Sequence, residues 1–318
     1  MFPWPGPCAA PRTCTAPHRT AQLSGIAIAT APFSEPDAAK RVFDASKPLK
    51  AAGIPVLTAL RNVAHQMREI AAEPIVKGAM STALTAALPA PYLRFCRPCD
   101  ATHPYEMPFR LAALHAGLRL QPGTSPPVLE RIPGWTFSPY ELLAEHALAP
   151  LNVIRNYLRF YGPATVKQVA AFIDCPAKEV KAHWPRDTVN VAVVGESEVR
   201  SALASSLDLL ISRPNPEGAI RLMGPYDPYL QLKDRASLVQ DEPLRKSLWP
   251  VLGRPGAIAC DAEVLGTWRP RTKGKSLTLR LVLWEPEQAG PALWSELETQ
   301  GQDLADFRGL EFAGWADK

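Results

Sequence analysis

LNVIRNYLRFYGPATVKQVAAFIDCPAKEV, Leu151 to Val180, is the stretch whose reading decides the fold. Leu151, Ile154, Leu158 and Tyr161 recur at three- and four-residue steps, the spacing of one helix face, until Gly162-Pro163 ends the run. Thr165 and Gln168 then form a capping-box pattern, which satisfies exposed backbone donors at a helix start, ahead of Val166, Val169, Ala170 and Ile173. Ile173-Asp174-Cys175-Pro176 has the length of the turn in a helix-turn-helix pair, and Pro176 suits the first position of a third helix. On that helix Val180 and Trp184 face inward. Val189, Val191 and Val193 alternate with Thr188, Asn190 and Ala192, as a half-buried strand does, and Gly195-Glu196 turns the chain into Glu198 to Leu203. Three short helices and a two-stranded ribbon predict a winged helix over residues 141–215.

Working upstream, Ser34 and Asp37 are available caps for a helix that carries Ala38, Val42 and Ala45 on one stripe. Helices are expected over Val56–Ala72, Ser81–Leu88 and Tyr105–His115, the last stopped by Gly117. Tyr92 to Phe95 and Val128 to Ile132 read as strands, so residues 34–140 predict a second, atypical winged helix. Residues 1–33 are expected to be an irregular tail, because MFPWPGPCAAPRTCTAPHRT holds five prolines and no apolar period. Downstream, Ile220–Met223, Ala257–Cys260, Val264–Trp268 and Ser276–Trp284 predict strands, closed by a helix over Leu293–Leu304 and a strand at Leu310–Phe312. The expected class is α+β: tandem winged helices, then a mainly β domain over 216–318.

Composition sets the bounds. A chain of 318 residues, 47% hydrophobic, can bury several cores, and 34 prolines favour short elements over long helices. The net charge of +4 allows a polyanionic partner only if positive charge is gathered locally. Six irregularly spaced cysteines do not resemble a secreted disulfide framework, which points to the cytoplasm. No apolar run is long enough for a membrane span, and Ala21–Ala31 is too interrupted by Ser24 and Gly25 for a leader.

Two cationic groups suit nucleic acid. The third helix would carry Lys178, Lys181 and His183, with Arg186 just beyond, on the element that enters the major groove in helix-turn-helix proteins. WRPRTKGKSLTLR, Trp268 to Arg280, places Arg269, Arg271, Lys273 and Lys275 around Gly274, a hairpin suited to following phosphates. A solvated basic face, or a charged edge that resists aggregation, is the plainer reading of each. Cys96, Cys99 and His103 offer three metal-ligating side chains but no second pair, so free thiols in a turn are the simpler expectation. No Ser-His-Asp set and no phosphate-cradling glycine pattern is visible, so no cofactor is expected and the catalytic residues are unknown.

Three stretches carry a family resemblance. RLMGPYDPYLQLKDR (Arg221 to Arg235) resembles the "L-x-P-F-D-P…D-R" signature of the winged-helix superfamily that includes the AlkZ-type crosslink-repair DNA glycosylases. Leu151 to Val180 is similar to that family's "RYL…fGPAT" segment, and Cys96 to Pro126 resembles a branch of the same superfamily. The resemblance implies tandem winged helices, a C-terminal β-domain, and DNA as partner. Within the signature, Asp227 is expected as a turn or cap residue and Arg235 as the partner of an acid across the β-domain.

The same resemblance implies catalysis by two glutamines, or glutamine and aspartate, one apolar residue apart. Gln22, Gln66 and Gln168 lack the second member, and Gln300-Gly301-Gln302 has the spacing but encloses a glycine. Ala16-Pro17-His18 reads as a remnant of the family's "RGAPH" stretch, which implies a shortened first domain. The expectation is therefore a DNA-binding winged-helix protein rather than an enzyme. Its alternatives are a DNA glycosylase acting on alkylated or crosslinked bases and a winged-helix protein-interaction module.

Overall fold

The Thr165 hydroxyl accepts from the Gln168 N–H at 3.3 Å, and the Gln168 carboxamide oxygen accepts from the Thr165 N–H at 2.8 Å. The helix start read from the sequence thus forms as a reciprocal pair of capping bonds. The structure is a computed structural model that describes residues 16–195, 197–212 and 218–316. The chain divides into two compact units, one ending at Ser205 and the other beginning at Ser206.

In the first unit, α1 (Ala16–Thr30), α2 (Glu35–Arg41), α3 (Ser46–Ala51) and α4 (Val56–Ile70) lead to β1 (Ile75–Val76) and α5 (Lys77–Ala87). A hairpin of β2 (Leu93–Cys96) and β3 (Ala101–Pro104) follows, then α6 (Glu106–His115), β4 (Leu118–Leu120) and β5 (Val128–Arg131). Strands β1, β5 and β4 make one small sheet in that order. Helix α4 organises the core, because Val56, Leu60, Val63, Ala64 and Met67 recur on one face and are all buried. They meet Leu49, Met80 and Leu84, each fully buried, and each such side chain contributes about 1.5–3 kcal/mol by leaving water.

Asp37 lies in this core with no exposure, and its carboxylate is fully engaged. It accepts from the Phe33 N–H at 2.8 Å and from the Arg41 guanidinium at 2.7 and 3.0 Å, so a paired ion rather than a bare charge is buried.

The decisive stretch forms α7 (Val153–Tyr161), α8 (Val166–Phe172) and α9 (Ala177–Ala182), followed by β6 (Thr188–Val191) and β7 (Arg200–Leu203). Ile154, Leu158, Val169, Val180 and Leu203 are buried together, with Trp184 packed at their edge. Strands β6 and β7 pair antiparallel from Thr188↔Leu203 to Val191↔Arg200. Glu196, expected in their turn, lies outside the described residues. Lys40 donates to the Cys175 carbonyl at 2.8 Å and so fastens α2 to the turn before α9.

Two expectations about the helices need correction. Residues from Ala16 to Thr30 are helical, not irregular, because Leu23 and Ala27 pack against Ile132 and Trp135, a tertiary partner that local composition does not reveal. Pro176 caps α9 from outside instead of occupying its first turn.

The second unit holds α10 (Leu207–Ile211), β8 (Ile220–Met223), α11 (Glu242–Leu248), β9 (Gly256–Cys260), β10 (Glu263–Lys273), β11 (Ser276–Leu283), α12 (Pro291–Arg308) and β12 (Glu311–Trp315). The five strands form one sheet, β12-β11-β10-β9-β8, with β12 parallel to β11. One face packs Ile258, Trp268, Leu277 and Leu279 on Leu297 and Ala305 of α12. The other packs Ala257 and Val264 on Leu230, Leu248 and Trp249. Alternation along each strand decides which side chain goes to which side.

Asp227 caps the 3₁₀ turn Pro228–Gln231, accepting from the Tyr229 N–H at 2.9 Å, as its Pro-flanked position implies. Arg235 departs from expectation: among the described residues it has no carboxylate within ion-pairing distance, and its guanidinium lies 5.1 Å from the Trp249 ring centroid, a cation–π contact.

Candidate nucleic-acid interface

The cations of Trp268–Arg280 fall mostly within a ladder, not at a loop. Arg269 pairs with Arg280, Arg271 with Thr278 and Lys273 with Ser276 along β10 and β11. Only Lys275 lies in the turn, after Gly274, whose φ of +59° opens the tight connection. Because Trp268, Leu277 and Leu279 point to the α12 side, Arg269, Arg271, Lys273 and Arg280 share the opposite face. All four are exposed.

Among the described residues none of these four, nor Lys275, has a carboxylate within ion-pairing distance. Arg269 donates to the Gly253 carbonyl at 2.5 Å, and burial together with neighbouring Arg254 lowers the Arg235 pKa. Arg280 is an addition to the expected set. Arg280 was legible in principle from the alternation of LTLR, but its place opposite Arg269 needs the register.

On α9, Lys178 and Lys181 are exposed, as is Arg186 beyond it. His183 is not free. Its ring stacks on Phe33 with centroids 4.4 Å apart, its Nδ1 lies 2.9 Å from the Glu179 carbonyl, and its Nε2 lies 3.8 Å from Glu145. Nearby, Asp187 takes a bidentate grip on Arg155 at 2.6 and 2.7 Å, which lowers the pKa of its carboxyl. The α9 surface therefore offers three exposed cations and one histidine committed to packing.

Gln300 and Gln302 cannot act as a pair. Residues two apart on a helix do not face each other, Gln302 donates to Asp306 at 2.8 Å, and Gly301 is buried against Phe312.

A cleft of about 770 Å³ in the first unit is lined by Ala21, Ser24, Trp135, Phe137, Ser138 and Glu141, among others. The Trp135 and Phe137 rings meet edge-on at 6.0 Å.

The β2–β3 hairpin gathers Cys96, Cys99 and His103, whose ligating atoms lie within 4.8 Å of one another. Hydrogen bonds from His103 and Cys99 pull the Cys96 thiol down to about 7, while the Cys96 side chain pushes Cys99 up. Cys175 differs: burial raises it to about 12.

No described helix is long and apolar enough to cross a membrane. Among solved structures, the Streptomyces sahachiroi DNA glycosylase AlkZ is similar to this chain with a TM-score of 0.59 at 15% identity, over 84% of this chain and 71% of that one. At that identity the likeness shows the fold alone. No curated protein matches the chain. The family model described as "DNA glycosylase AlkZ-like" matches residues 16–307. With nine-tenths of its length matched by that one model, the chain belongs to the AlkZ-like DNA glycosylase family.

Proposed function

We propose that this protein is a glycosylase-type DNA-repair protein that grips duplex DNA and hydrolyses the N-glycosidic bond of alkylated or crosslinked bases. The family match over residues 16–307 carries this reading and moves it from the DNA-binding expectation toward the enzyme. Contacts to DNA are assigned within each unit by itself: in the second to Arg269, Arg271, Lys273 and Lys275, joined by Arg280, and in the first to Lys178, Lys181 and Arg186. Unpaired cations on a narrow ribbon can follow phosphates or enter a groove, and exposed lysines on the third helix suit backbone contacts. We read α7–α9 with β6–β7, and the helices with β4–β5 before them, as tandem winged helices. DNA as substrate fits work in the cytoplasm.

Hydrolysis requires a positioned water and stabilisation of positive charge on the sugar. The glutamine pair expected of the family has no counterpart in this sequence, so those roles are not given to named residues. That specific observation favours a second reading, duplex binding without base release. The full-length chain incubated with duplex containing an N-alkylated purine distinguishes them: free base and abasic sites support the enzyme. Saturated duplex with no abasic sites leaves the binding protein, and no duplex binding removes both.

A further inference from the structure

We propose that Cys96, Cys99 and His103 form a binding site for a zinc-class divalent cation, with a fourth coordination position open to solvent. The register of the hairpin builds it. Cys96 pairs with Ala101 and Arg94 with His103, so Cys96 and His103 lie on one face as diagonal neighbours across the ladder. Between them the 3₁₀ turn Arg97–Cys99 ends at Asp100, whose left-handed φ of 47° sends the chain back into β3 and brings Cys99 over the same end. The three donor atoms then lie within 4.8 Å of one another. Ligands around tetrahedral zinc are separated by about 3.5 Å, given bonds of about 2.3 Å to sulfur and 2.0 Å to nitrogen, so small side-chain rotations close the site.

The histidine's hydrogen bond suits its tautomer to this work. Its Nδ1 lies 2.9 Å from the Pro104 carbonyl, which can only accept, so Nδ1 carries the proton and Nε2 is left with its lone pair. Two sulfurs and one imidazole nitrogen select a borderline-soft metal over magnesium or calcium, which prefer oxygen. Arg94, directly across from His103, favours the negative charge of two thiolates. Cys99 is exposed and Cys96 is half-buried, so the metal can enter from solvent. Among the described residues no fourth Cys, His, Asp or Glu joins the group.

The test uses the full-length chain, stripped with chelator under reducing conditions and titrated with Co(II). One equivalent should give the absorption of a tetrahedral cobalt–thiolate centre, and Zn(II) should bleach it. Cys96→Ser with Cys99→Ser, and separately His103→Ala, should abolish the spectrum. As a check that needs no variant, Zn(II) should slow alkylation of Cys96 and Cys99 at least tenfold, mapped by mass spectrometry, and leave Cys260 unchanged. No cobalt–thiolate absorption, a spectrum that survives the double substitution, or alkylation rates indifferent to Zn(II) would overturn the proposal.

Discussion

Arg269 and Arg280 are directly opposed across the β10–β11 ladder with no described carboxylate within ion-pairing distance of either. Like charges in that relation destabilise a sheet by about 0.2–1 kcal/mol. Arg280→Gln should therefore raise the urea midpoint at low salt and lose that advantage at high salt, where repulsion is screened. Equal midpoints of variant and parent at low salt would show that the pair is not in repulsion.

Lys178 and Lys181 project from α9 into solvent, whereas His183 stacks on Phe33. Replacing both lysines by alanine should flatten the salt dependence of duplex binding by about two units of slope, with stability changed by less than about 0.5 kcal/mol. His183→Ala should do the reverse, lowering the melting temperature and leaving the slope intact. A flattened slope in His183→Ala would give that ring a role on DNA.

His115 is buried against Tyr140, their rings 3.7 Å apart, and burial lowers its pKa to about 4. In the unfolded chain it titrates near 6.5, so the unfolded state binds the proton first as pH falls. Stability contributed by the neutral ring is complete above about pH 6.5 and is lost on the way down to pH 4, by about 3 kcal/mol in all. Urea denaturation at pH 7 and pH 4.5 should show a steeper loss for the parent than for His115→Gln; parallel losses would mean that the ring is not the group responsible.

Asp37 is fully buried and accepts from both Phe33 and Arg41. Asp37→Ala removes the acceptor of the Phe33 N–H and the carboxylate partner of Arg41, which keeps its bond to the Thr30 carbonyl, and loss of one partner of a buried pair costs about 3–5 kcal/mol. Equilibrium unfolding measures it directly, and a loss under 1 kcal/mol would show that water replaces the carboxylate.

The α7–α9 segment was legible because its signals are local: Thr165 and Gln168 cap each other across one turn, and Ile154 and Leu158 share one helix face. The strands of the second unit were legible by alternation. What the sequence concealed depends on contacts far along the chain. Helix α1 has little periodicity of its own and is held by Ile132 and Trp135. His183 reads as a surface cation until Phe33, 150 residues earlier, is brought against it. Arg235 reads as half of an ion pair because its neighbours in sequence are charged, yet its spatial neighbour is the Trp249 ring. The hairpin cations were legible as a cluster, but their shared face and the Arg269–Arg280 opposition follow from register alone.

Duplex affinity of the full-length chain, measured from low to moderate salt for the parent and for Arg269→Ala, Arg271→Ala, Lys273→Ala and Lys275→Ala combined, tests the proposed grip most directly. The plot of log K against log salt should be steeper for the parent by about three to four units, one phosphate contact for each cation removed. Parallel lines would place the DNA elsewhere and contradict the assignment of this face.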